Sequence, residues 1–125
     1  MTAITGIATV GIPVRDQDGA LAFYRDVLGF EVLMDSGPGG PFRWIELAPR
    51  GSGASVALVD MGEPAGVDTG IRLATADAAG DHAALAEAGV DVEAELVDMG
   101  PGIPPMFTLR DPDGNTLYVV ERPRE

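Results

Sequence analysis

Residues 6–14 alternate strictly: Ala8, Val10, Ile12 and Val14 fall on one face of an extended segment, and Ile7, Thr9, Gly11 and Pro13 on the other. A strand with one greasy side and one side of small residues is predicted. The period then lengthens. Ala20, Phe23, Tyr24, Val27 and Leu28 recur at i, i+3, i+4, i+7 and i+8, which predicts an amphipathic helix with Asp16 as its N-cap, Asp18 in its first turn and Gly29 as its left-handed stop. Strands are predicted over residues 30–34, 42–48 and 54–60, separated by the Gly/Pro loop 37–41 and the hairpin-like connection 49–53. The order is β-α-β-β-β. It returns as a strand over 69–75, a helix over 78–88 between Asp77 and Gly89, and strands near 90–97, 105–110 and 115–121, with Asp111, Pro112, Asp113, Gly114 and Asn115 forming the clearest turn.

The second half repeats the first in residues as well as in order. Asp35, Gly37, Pro38, Gly39 and Pro41 match Asp98, Gly100, Pro101, Gly102 and Pro104 in a shared D-x-G-P-G-x-P spelling, 63 residues apart. Asp16 answers Asp77, and Gly29-Phe30-Glu31-Val32 answers Gly89-Val90-Asp91-Val92. The chain therefore reads as one domain of two modules, about residues 1–60 and about 69–125, joined by a short linker. A module of that size buries only about 60% of its unfolded surface and is marginal alone. Two halves, or halves of two chains, must pack, and the cavity between them is where function is expected. A homodimer is expected, because identical elements exchange between protomers at low cost.

Composition narrows the partners. The chain has 125 residues, is 46% apolar, and contains no cysteine, which suits a globular, cytoplasmic protein without disulfide support. No apolar run is long enough to span a membrane, and the start lacks the basic and apolar regions of a signal peptide. Twenty acidic residues against eight basic ones give a net charge of -12, which repels phosphate backbones and anionic lipid and weakly attracts cationic small molecules. Neither nucleic acid nor membrane is expected as a partner. With no lysine and no G-x-x-x-x-G-K pattern, the Gly/Pro loops are not phosphate cradles; they read as turns or as lids.

Three segments together, Val10 to Asp16, Ala22-Phe23-Tyr24 through Leu28-Gly29-Phe30, and Phe107 through Arg110-Asp111-Pro112-Asp113-Gly114-Asn115, resemble the vicinal oxygen chelate superfamily. That superfamily includes glyoxalase I, bleomycin-resistance proteins and extradiol dioxygenases. The resemblance covers essentially the whole chain. It implies an α+β fold in which two paired β-α-β-β-β modules form a curved, mostly antiparallel sheet cup, with a divalent metal in the enzymes held from the first and fourth strands of each module. At the matching positions this sequence carries Thr9, Ala57, Gly70 and Tyr118, and none of them is the His or Glu that the resemblance leads one to expect.

Donor chemistry points the same way. Transition-metal sites are assembled from imidazole, thiolate and carboxylate, and this chain has no cysteine and a single histidine, His82, aligned with Ala78 and Leu85 on the second helix. No metal and no cofactor are expected. Strand parity puts Thr9 and Gly11, Trp44 and Glu46, Ser55 and Ala57, Gly70 and Arg72, and Thr116 and Tyr118 on the concave side. Small residues leave room, aromatic ones supply flat faces, and Glu46 and Arg72 either fix a polar ligand or pair with each other. The expected function is metal-free binding of a small organic molecule of the glyoxalase/bleomycin-resistance type, through Thr9, Trp44, Glu46, Ala57, Gly70, Arg72 and Tyr118. No residue is assigned to catalysis in that reading. The alternative is an enzyme of the same superfamily, a lyase, isomerase or dioxygenase-like protein, metal-independent or with an atypical metal site; without metal, Glu46 would be the base and Tyr118 or Arg72 its electrophilic partner.

Overall fold

The computed structural model describes residues 1–37 and 42–122. The chain forms two units, Met1–Ala65 and Gly66–Glu125, and each carries its own four-stranded mixed sheet. In the first unit β1 (Thr9–Pro13), β2 (Glu31–Asp35), β3 (Ile45–Ala48) and β4 (Ser55–Val59) lie in the order β1-β4-β3-β2. In the second, β5 (Asp68–Thr75), β6 (Asp91–Val92), β7 (Met106–Arg110) and β8 (Thr116–Glu121) lie in the order β5-β8-β7-β6. The first and last strands of each unit pair in parallel and the other pairs are antiparallel. A parallel pair cannot be closed by a tight hairpin, so a helix and two strands intervene each time. The expected α+β class and duplicated strand-helix order are both present.

The repeat extends to individual hydrogen bonds at the helix starts and the Gly/Pro loops. The Asp16 carboxylate accepts from the Gly19 N–H at 3.0 Å, and Asp77 accepts from Gly80 at the same distance, so each helix begins on the same N-cap. Asp35 accepts from the Gly37 N–H and Asp98 from the Gly100 N–H, which makes the shared D-x-G spelling one Asx turn used twice. Residues 38–41 of the first Gly/Pro loop lie outside the described residues. The second closes as a turn, with Ile103 N donating to Gly100 O at 3.2 Å.

The first helix departs from the expected single α-helix. It runs as α1 (Gln17–Ala22) and then widens into a π-helical turn over Phe23–Val27, where Leu28 N donates to Phe23 O, five residues back, at 3.1 Å. Leu28 therefore stands one turn above Phe23, and Val27, expected in the buried stripe, is 42% exposed. Ile12, Val14, Ala20, Tyr24, Ile45, Leu47 and Leu58 form the buried core of this unit. Arg43 ties its periphery together, forking onto Asp35 at 2.9 and 3.0 Å and reaching Asp18 at 2.7 Å.

In the second unit α2 (Ala78–Glu87) covers the side of the sheet from which Phe107, Leu109, Leu117 and Val119 point. The strand expected near 90–97 shrinks to Asp91–Val92 with a single later bridge between Val97 and Met106. The cause is a substituted acceptor: the Glu93 carboxylate takes the Thr108 N–H at 2.6 Å. Strand β1 starts at Thr9 rather than at residue 6, and β3 at Ile45 rather than at 42.

The Arg43 fork and the Gly37 N–H hold the Asp35 carboxyl below the usual carboxylate range. A depressed folded-state pKa adds stability that is present above the unfolded value, about 3.9, and is lost as pH falls through the folded one. Arg43→Gln is expected to cost about 1–2 kcal/mol near neutral pH, since hydrogen bonds to charged groups are worth that much. Urea unfolding at a series of pH values should show the gap between variant and parent closing in acid. A gap independent of pH would show that Arg43 acts through packing alone.

Candidate functional site

Register decides which side chains share a face. In the first unit Thr9 stands beside Ser55, Gly11 beside Ala57, and Ala57 in turn beside Glu46. Cross-strand partners point the same way, so these five residues share one side of the sheet, and Ile12, Leu47, Val56 and Leu58 share the other. Glu46 is anchored there from both oxygens: Oε1 accepts from Trp44 Nε1 at 2.7 Å and Oε2 from Ser55 Oγ at 2.9 Å. That first bond places the indole on the same side as Glu46. Phe42 stacks against it with ring centroids 5.9 Å apart and planes at 24°.

Thr9, Trp44, Glu46 and Ala57 are therefore neighbours, as strand parity predicted. Two further members were not foreseen. Phe42 could have been read from its i, i+2 spacing to Trp44, whereas Met34 reaches this face only because β2 is irregular between Val32 and Met34, which brings Met34 opposite Glu46. The Thr9 hydroxyl oxygen is buried and has no hydrogen-bond partner among the described residues. On the same face, where Pro13 stands beside Val59, a cavity of about 220 Å³ is lined by Gly11, Pro13, Val59, Met61 and Glu63.

In the second unit Arg72 and Tyr118 are register partners of the parallel β5–β8 pair. The guanidinium carbon lies 4.2 Å from the centroid of the Tyr118 ring, and Nη1 donates to Gly70 O at 2.8 Å. Gly70 adopts φ +70 at the irregularity between Asp68 and Arg72, a conformation for which glycine is suited. The Tyr118 hydroxyl donates to Asp68 Oδ2 at 2.7 Å, and Asp68 Oδ1 accepts from the Gly70 N–H at 3.0 Å. This shared proton raises the phenol pKa and lowers that of the carboxyl, so Tyr118 stays neutral and Asp68 ionised. Asp68 was missed because it was read as the end of the linker. Gly70, Arg72 and Tyr118 are thus brought together within their own sheet.

Metal chemistry does not fit these positions. Ala57 and Gly70 carry no side-chain donor, Thr9 offers a neutral hydroxyl, and Tyr118 a phenol held protonated by its bond to Asp68. Among the described residues no three of His, Cys, Asp and Glu converge. His82 is engaged elsewhere: its Nε2 lies 2.7 Å from the Glu93 carbonyl oxygen, so that nitrogen carries the proton and donates, and its ring meets Phe107 edge-on at 5.2 Å. Nor is any described helix long and apolar enough to cross a membrane.

The family model described as Glyoxalase/Bleomycin resistance protein/Dioxygenase superfamily matches residues 6–119. Among solved structures, TnmS3, an antibiotic binding protein from Streptomyces sp. CB03234, is 34% identical with a TM-score of 0.82, covering 97% of this chain and 98% of that one. A member of the same superfamily from Sphaerobacter thermophilus DSM 20745 is 32% identical with a TM-score of 0.87, covering 97% of this chain and 100% of that one. The protein YurT of Bacillus subtilis (strain 168) is 30% identical over 128 residues, which is 93% of this chain and 98% of that protein.

Proposed function

Because this chain belongs to the Glyoxalase/Bleomycin resistance protein/Dioxygenase superfamily, we propose that it is a binding protein that holds a small organic molecule by shape and π-contact, without a metal ion. The observation that carries this reading is the Phe42–Trp44 stack beside a carboxylate fixed by two hydrogen bonds. A flat apolar surface with a few aimed polar groups is how small-molecule sites are built. The likeness to an antibiotic binding protein over nearly the whole of both chains supports the same class of ligand. Thr9, Trp44 and Glu46 supply the principal surface, and Ala57, which is fully buried, lies beneath it in the same register rather than at a contact. Gly70, Arg72 and Tyr118 present a second, with a cation stacked on an aromatic ring.

Trp44 is the only tryptophan, so its fluorescence reports this surface alone. Titration with a panel of planar aromatic antibiotics is expected to give saturable quenching that persists in excess chelator. In Trp44→Ala, followed by calorimetry, affinity should fall about 10- to 100-fold, from the lost area and stacking. Binding that vanishes with chelator and returns with a divalent ion would overturn the reading, as would full affinity in Trp44→Ala.

A further inference from the structure

We infer that the ligand of the Trp44 face carries a positive charge, specifically a protonated nitrogen attached to its planar aromatic part. The inference rests on the binding function proposed above and assigns the chemistry of its ligand. Glu46 is only partly exposed, and a ligand laid on this face would complete its burial, a setting in which carboxylates are ordinarily paired with a cation. Its partners are the indole N–H of Trp44 and the hydroxyl of Ser55, both neutral, and no ion pair reaches it among the described residues. Arg43, one residue before Trp44, points its guanidinium to Asp18 and Asp35 instead. The negative charge is thus oriented but not compensated.

Capacity remains on it. A carboxylate offers about four acceptor sites, of which two are filled here. Beside it the buried Thr9 hydroxyl oxygen lacks a partner and stands next to Ser55 in the strand register. The adjoining cavity has Glu63 as its one charged lining residue, so a second carboxylate serves the same side of the sheet. The Phe42–Trp44 stack completes the match, because indole attracts a cation held over its face more strongly than any other side chain does. An anionic or purely apolar ligand would cover Glu46 and displace its water without compensating its charge, which is costly.

The test uses two molecules of nearly the same shape, 9-aminoacridine, which is protonated at weakly alkaline pH, and acridine, which is neutral there. Both are titrated against Trp44 fluorescence. The aminoacridine is expected to bind about tenfold more tightly or better, as one charge-assisted hydrogen bond allows. In Glu46→Gln that preference should collapse. Asp26→Asn, which removes an exposed charge from the π-helical turn of the same unit, should leave it in place. Equal affinities for the two acridines in the parent protein, with Trp44→Ala weakening both, would overturn the charge assignment and leave the binding function standing. Equal losses of preference in Glu46→Gln and Asp26→Asn would assign the effect to net charge and likewise overturn it. Failure of 9-aminoacridine to bind at millimolar concentration, while neutral planar antibiotics still quench Trp44, would overturn the charge assignment alone; absence of quenching by every compound would sink both. Circular dichroism of Glu46→Gln confirms that the fold tested is the parent one.

Discussion

Asn115→Ala is expected to lower the unfolding free energy by about 3–5 kcal/mol, among the largest effects of any single substitution outside the apolar core. Asn115 is fully buried, and its side chain satisfies three groups at once. Oδ1 accepts from the Gly66 N–H at 2.9 Å and the Val67 N–H at 3.0 Å, and Nδ2 donates to Asp111 Oδ2 at 3.0 Å. Asp111, itself 5% exposed, uses its other oxygen to accept from the backbone N–H groups of Asp113 and Asn115. Truncation leaves two backbone donors without their acceptor and removes one donor from a buried carboxylate. Gly66 and Val67 are exposed residues, so each of their lost bonds costs about 1 kcal/mol, whereas the buried Asp111 carboxylate left short of a donor adds about 1–3 kcal/mol, and the sum exceeds any gain in side-chain entropy. Urea unfolding followed by circular dichroism measures it. A loss below about 1 kcal/mol would mean that water enters and replaces the amide.

How far this network was legible shows where sequence reading stops. The turn at residues 111–115 was plain, because proline and glycine dictate backbone angles locally. Its clamp on Gly66 and Val67 was not, since the partners lie 49 and 48 residues away. The same divide runs through the site. Parity alone placed Thr9, Glu46 and Ala57 on one face, because a strand's side chains alternate whatever surrounds it. That Glu46 would be fastened by Ser55, and Tyr118 by Asp68, depended on register, which no local pattern contains, whereas the Trp44–Glu46 bond spans only two residues of one chain segment. The short β6 belongs here too. Its hydrophobic alternation continues past Val92, but the Glu93 side chain displaces a backbone acceptor and ends the ladder.

The first helix carries the second large effect. Tyr24→Ala is expected to cost about 3–5 kcal/mol, the range for removing a buried aromatic ring from a packed core. Tyr24 is fully buried and meets Phe23 edge-on at 5.4 Å and Phe30 at 5.8 Å, so its ring joins the widened turn to the start of β2. Phe30 N also donates to Tyr24 O at 2.9 Å, which fixes the chain reversal around Gly29. A regular α-helical count would set Val27 above Phe23, whereas the π-helical turn sets Leu28 there and leaves Val27 exposed. Packing around Tyr24 thus compensates for a backbone geometry that the sequence does not favour by propensity. Its removal should weaken the widened turn as well as open a cavity. Hydrogen exchange separates the two consequences: the Leu28 and Phe30 amides should lose more protection in Tyr24→Ala than the amides of β3. Uniform loss across the unit would show that the cavity alone accounts for the destabilisation, and that the π-helical turn stands without its aromatic support.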